Sequence, residues 1–313
     1  MSNPIMSRNP YFTGSTTPAG YPAMPGYEGS GNAAGTMPRP SDPAADAYAR
    51  QQSYQTDPAA QMPQYGAGGY VEGRAANGEP AMTYDDAMIK TGILLGAALI
   101  SGALAWALLV PTSVTSPSYN IVMPLAIGTS IGAFVVGMMI AFKRTIGPGL
   151  AFAYAILEGV CLGLITGVFE LMMPGIALQA VLATACVVGV AWFLHTTGLV
   201  KTTPKGMKIV LTIALAGIIF SFVNLGLMVT GLNDQPFGLR SAEIAGIPLG
   251  VILGIVMIVV ASYMLINDFE TVKIAVANRA PKSFAWMCGI SIVMTVLWIY
   301  MEILRLLAIL NRD

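Results

Sequence analysis

The chain has 313 residues, 55% hydrophobic and only 10% charged, whereas about a quarter of a soluble domain's residues carry charge. That excludes an ordinary water-soluble globule. A formal net charge of zero and the lack of a basic stripe with interleaved aromatics give no reason to expect a nucleic-acid partner.

Residues 1 to about 82 differ from the rest. Stretches such as TPAGYPAMPGYEGSG and QMPQYGAGGYVEG are rich in Pro, Gly, Ala, Tyr and Met and have no apolar period. Such a chain cannot bury enough surface to offset its ordering entropy, so a disordered tail over 1–82 is expected. No charged leader followed by a short apolar core occurs, so it does not read as a signal peptide.

From MTYDDAMIK onward the sequence predicts an all-α integral membrane protein, a seven-transmembrane-helix bundle. The spans fall at about 88–110, 119–142, 149–172, 177–194, 207–231, 247–272 and 284–310, making one domain over 83–313. Thr83 before Asp85 and Asp86 is a helix-start signal. Pro111, Pro117, Pro148, Pro174, Pro204, Pro236 and Pro281 fall between spans, where proline does least harm.

Alternate links hold the basic residues: Lys143 and Arg144, then Lys201, Lys205 and Lys208, then Lys273, Arg279 and Lys282. The positive-inside rule then places the N-terminus in the cytoplasm and the C-terminus outside. Gly92 and Gly96, Gly128 and Gly132, Gly159 and Gly163, and Gly250 and Gly254 are small-residue pairs at the four-residue spacing that lets helices approach closely in lipid.

Ionisable side chains inside a span are costly and mark candidate sites. Glu158, in the third span, lies roughly 14 Å from the cytoplasmic side, with no lysine or arginine within four residues. The sixth span, in the stretch IPLGVILGIVMIVVASYMLINDFETVK, ends on Asn267, Asp268 and Glu270; at helical rise Asp268 lies about 30 Å from Pro248, near the inner boundary. It reads either as a polar helix end paired onward to Lys273 or as a site for cations or protons. Glu302 and Arg305, three apart, can pair on one helix face. Ser221 and Asn224 in the fifth span could donate to an interior carboxylate or simply pack between helices. His195 is a poor metal candidate, though it could titrate near neutral pH. Cys161, Cys186 and Cys288 share no CxxC-type spacing and read as small buried hydrophobes.

An enzyme is not expected. Gly128–Gly132 spells GxSxG, but inside an apolar helix and not on the strand-to-helix turn the motif requires. No HExxH, Walker loop or GxGD occurs.

SYMLINDFETVKI, the short basic link after it, and a last helix ending YMEILRLLAIL resemble the Bax inhibitor-1/YccA (transmembrane Bax-inhibitor motif) family. The likeness is closest to its actinobacterial branch, which has a Pro/Gly/Tyr-rich tail, and it covers about 83–311, including the TYDD opening. It implies a seven-helix bacterial plasma-membrane protein with the last helix near the centre. It also implies a pH-sensitive calcium leak or, in one branch, modulation of a membrane protease. In bacterial members an aspartate pair from the sixth and seventh helices shares a proton. Asp268 matches the first; Thr295 stands near the expected place of the second, and Glu302 lies seven residues further on. Glu158 is the candidate replacement partner.

The expected function is therefore a Ca2+/H+ leak or sensor using Glu158 and Asp268, with Glu302, Arg305, Asn224 and Asn267 as secondary candidates. The alternative is a non-transporting regulator or scaffold of a membrane protease or envelope machinery. The expected partners are the lipid bilayer and a membrane protease or other membrane protein, and no cofactor is expected beyond Ca2+ as a permeant or regulatory ion.

Overall fold

A computed structural model describes residue 75 and residues 78–311, apart from 114, 117, 118, 233, 234, 236 and 245. The tail expected over 1–82 thus lies almost wholly outside the described residues. Its last few described residues are part of the fold. Met82 N–H donates to the Ala280 carbonyl at 2.7 Å and Lys282 N–H to the Pro80 carbonyl at 2.9 Å, while Ser283 donates to Glu79 at 2.9 Å.

Among the described residues there are seven α-helices: α1 (Tyr84–Leu109), α2 (Tyr119–Phe142), α3 (Pro148–Met172), α4 (Ile176–Thr197), α5 (Pro204–Val229), α6 (Leu249–Ala277) and α7 (Ala285–Leu310). At 22 to 29 residues they are about 33–44 Å long, enough to cross a hydrocarbon core of about 30 Å. All seven are apolar enough to do so, and the protein is a multi-pass membrane protein.

Helix α1 begins four residues before its apolar run because a capping box starts it. Asp86 N–H donates to Thr83 Oγ1, and Thr83 N–H to Asp86 Oδ2, both at 3.1 Å. Asp86 also meets Lys282 Nζ at 3.1 Å, which ties α1 to the α6–α7 link. Thr83→Ala is expected to cost about 1 kcal/mol, read as a lower Tm in detergent that Thr83→Ser restores.

The architecture is a bundle around α7. Most of α7 is buried, and α1, α3, α4 and α6 all pack on it. The α1–α3 and α6–α7 pairs are the most extensive, α2 lies on α3, and α5 lies on α6. Helix α5 buries only Met207, Ala214 and Asn224, leaving residues such as Phe222 and Leu225 on the outer surface, where a bilayer would cover them. The α5–α6 connection contains a 3₁₀ turn (Gly238–Ser241) and a two-residue ladder of β1 (Glu243–Ile244) with β2 (Ile247–Pro248).

Not every glycine pair is a contact. Gly159 and Gly163 sit where α1 and α3 cross: a Cβ on Gly102 would lie 2.8 Å from the Gly159 carbonyl oxygen, and one on Gly163 would strike the Gly102 backbone. By contrast, Gly92, Gly96 and Gly128 face open space, so the close approaches expected there do not occur.

Candidate functional site

Helix α6 continues five residues past the expected end of its span, because Thr271, Val272 and Ala275 are still buried in the bundle. Asp268 therefore lies about 14 Å before the end of α6, not at the boundary. The carboxylate is 7% exposed. Ser291 Oγ donates to its Oδ1 at 2.9 Å and Thr295 Oγ1 to its Oδ2 at 2.6 Å. Ser291 and Thr295 are four apart on α7, on one helix face, so a single stripe of hydroxyls meets the acid. Among the described residues no lysine, arginine or histidine pairs with Asp268.

The onward route from Asp268 through Glu270 to Lys273 does not form. Glu270 instead approaches His195 Nδ1 at 3.8 Å, and the His195 ring packs on Phe269 with centroids 5.4 Å apart. Asn267 is half-buried, and its carbonyl accepts from Thr271 Oγ1 at 2.8 Å; its side chain makes no hydrogen bond among the described residues.

Glu158 lies about 15 Å into α3, a depth similar to that of Asp268. It is half-buried on the α3 stripe that also carries Tyr154 and Cys161. That stripe turns toward α2: Tyr154 covers Gly137, and Cys161 Sγ contacts the Ala126 carbonyl at 3.5 Å. Asp268 faces α7. The two acids thus have different neighbours, and Glu158 has no hydrogen bond or ion pair among the described residues. The structure does not bring the two together.

The remaining candidates meet at the opposite end of the bundle. Arg305 Nη1 donates to both Glu302 oxygens at 3.0 Å, and Trp298 Nε1 donates to Oε1 at 3.3 Å. Asn224 holds the α5–α6 connection: its Oδ1 accepts from Leu239 N–H at 2.6 Å and its Nδ2 donates to the Phe237 carbonyl at 3.2 Å. Ser221 accepts from Arg240 Nη2 at 3.0 Å. Neither Ser221 nor Asn224 donates to an interior carboxylate; Ser221 Oγ donates to the Gly217 carbonyl at 2.8 Å, and Asn224 to that of Phe237. Glu170, near the C-terminal end of α3, accepts from Gly175 and Ala177 N–H at 2.7 and 2.9 Å and so caps α4.

An apolar cavity of about 820 Å³ opens between α1, α3, α4 and α7, with Trp106, Gly163, Trp192 and Tyr300 on its walls; Asp268 is not on its lining. No cluster of three or more His, Cys, Asp or Glu side chains suited to a metal occurs among the described residues.

The family model described as Bax inhibitor 1 like matches residues 3–312. No curated protein and no solved structure matches the chain.

Proposed function

The chain belongs to the Bax inhibitor 1 like family, and from that premise we propose that it passes or senses cations across a bacterial plasma membrane under proton control at Asp268. The supporting observation is a carboxyl group deep in the bundle whose only partners among the described residues are two neutral hydroxyls. An uncompensated carboxylate is costly in such a place. Two states relieve it: a bound proton, which leaves the group neutral, or a bound cation, which compensates its charge.

The two carboxylate oxygens, Ser291 Oγ and Thr295 Oγ1 form a set of hard oxygen donors of the kind calcium uses. Calcium takes six to eight oxygens, so this set must be completed by water. A single carboxylate holds a divalent ion weakly, which suits passage or sensing more than storage. The positive-inside rule, applied to the basic links, supports a cytoplasmic N-terminus and an outer C-terminus. Glu158 is then a separate acid on the α2–α3 contact.

Calcium flux into dye-loaded liposomes at pH 6 and pH 8 tests the reading. Proton competition makes cation occupancy rise with pH, so wild-type flux is expected to be larger at pH 8. Asp268→Asn is expected to lose about tenfold or more of the flux and all of its pH dependence, while Glu158→Gln changes it little. Equal flux for wild type and Asp268→Asn at both pH values sinks the proposal.

A second reading, a regulator acting on a membrane protease through its tail, is favoured by the bonds that fasten Glu79–Met82 to the α6–α7 link. Under it, removing residues 1–74 abolishes the regulatory effect; under the first reading flux survives.

A further inference from the structure

At the end of the bundle away from the basic links, a cavity of about 220 Å³ lies between α5, the Gly238–Ser241 turn and α7. Ser221, Asn224, Phe237, Arg240 and Arg305 line it. Arg240 is 5% exposed. Its Nη2 is taken by Ser221, and its guanidinium rests 5.6 Å from the Phe220 ring centroid. Its Nη1 is fully buried and has no hydrogen-bond partner among the described residues. A buried guanidinium arm left unsatisfied is expensive, and an anion in the cavity would satisfy it.

Arg305 lines the same cavity and gives only Nη1 to Glu302. The charged groups gathered here are Arg240, Arg305 and Glu302, a balance of one positive charge. That suits a monoanion and disfavours a cation. The fork of a guanidinium matches the oxygens of phosphate and carboxylate groups.

Position favours phosphate. Arg305 lies about 7.5 Å before the end of α7, and that helix, about 39 Å long, exceeds the hydrocarbon thickness by about 4.5 Å on each side, so Arg305 stands within about 3 Å of the level of lipid headgroups. Beside it α5 exposes Leu225 and Val229, along which an acyl chain can lie.

We propose that Arg240 and Arg305 form a binding site for a phosphate-type oxyanion, supplied either as the phosphodiester of an anionic phospholipid or as free phosphate. The site is distinct from Asp268 and does not depend on cation flux.

The test uses the full chain in detergent, with Tm and native mass spectrometry as readouts. The probes are dioctanoyl phosphatidylglycerol and inorganic phosphate. At least one probe is expected to bind and raise the Tm, and Arg240→Gln is expected to weaken its binding about tenfold. Arg240→Lys keeps the charge without the fork and is expected to fall between. Glu302→Gln removes the competing carboxylate and is expected to tighten binding several-fold, a change of sign that loss of folding cannot mimic. Phosphatidylglycerol binding that inorganic phosphate does not displace assigns the site to lipid; displacement by phosphate assigns it to the free ion. If neither probe binds wild type, or if Glu302→Gln leaves the affinity unchanged, the assignment is overturned.

Discussion

Gly163→Val is expected to prevent α1 and α3 from docking. At this crossing any Cβ meets the Gly102 carbonyl, carbonyl carbon and Cα, all of them backbone, so no rotamer change can relieve the clash. Overpacking of well-packed cores costs about 1–3 kcal/mol and sometimes more; with only backbone to yield, a loss of about 3 kcal/mol or greater is expected. It would appear as a large fall in Tm or as no monodisperse protein. Gly96→Ala is the control. Its Cβ would enter open space, and alanine's better helix propensity should leave stability unchanged or raise it by about 0.5–1 kcal/mol. Equal losses for the two variants would contradict the described crossing.

Thr295→Val is the second substitution with a large expected effect, and its size should depend on pH. Thr295 Oγ1 reaches Asp268 Oδ2 at 2.6 Å. A hydrogen bond to a charged group contributes about 1.5–3 kcal/mol and one between neutral groups about 1 kcal/mol. The valine variant should therefore lose more stability at pH 8, where the carboxylate form is favoured, than at pH 5. In an Asp268→Asn background the loss should no longer vary with pH. A pH-independent loss in both backgrounds would show that Asp268 keeps one protonation state throughout, and proton control there would fail.

How much of this was legible in the sequence depends on what each residue's neighbours encode locally. The seven spans follow from composition and from prolines at their edges, and Thr83 with Asp86 announced the start of α1 without help from packing. Asp268 stood out as an acid in an apolar helix. Its depth did not, because Glu270, Lys273 and the polar stretch around them look like an exit from lipid, whereas α6 continues to Ala277 with one face still buried at Thr271, Val272 and Ala275. Its partners were harder still. Ser291 and Thr295 are ordinary helix residues whose four-residue spacing acquires meaning only once α6 is seen to face them. The pairing of Glu158 with Asp268 rests on the family resemblance, with Glu158 standing in for the absent second aspartate, and which helix faces which is not written into runs that are apolar all round. Glycine spacing had the same limit: identical spacings mark an intimate crossing at Gly159 and Gly163 and bare surface at Gly92 and Gly96.

The central place of α7 has a consequence for how the protein is made. The helix that the others surround emerges from the ribosome after all six of them. Until it enters the bilayer, the partly synthesised chain must hold α1, α3, α4 and α6 around an unfilled axis, with Asp268 lacking both hydroxyls. Quality-control proteases would meet that immature species whenever translation stalls before residue 285, and its lifetime is set by the insertion of one last segment.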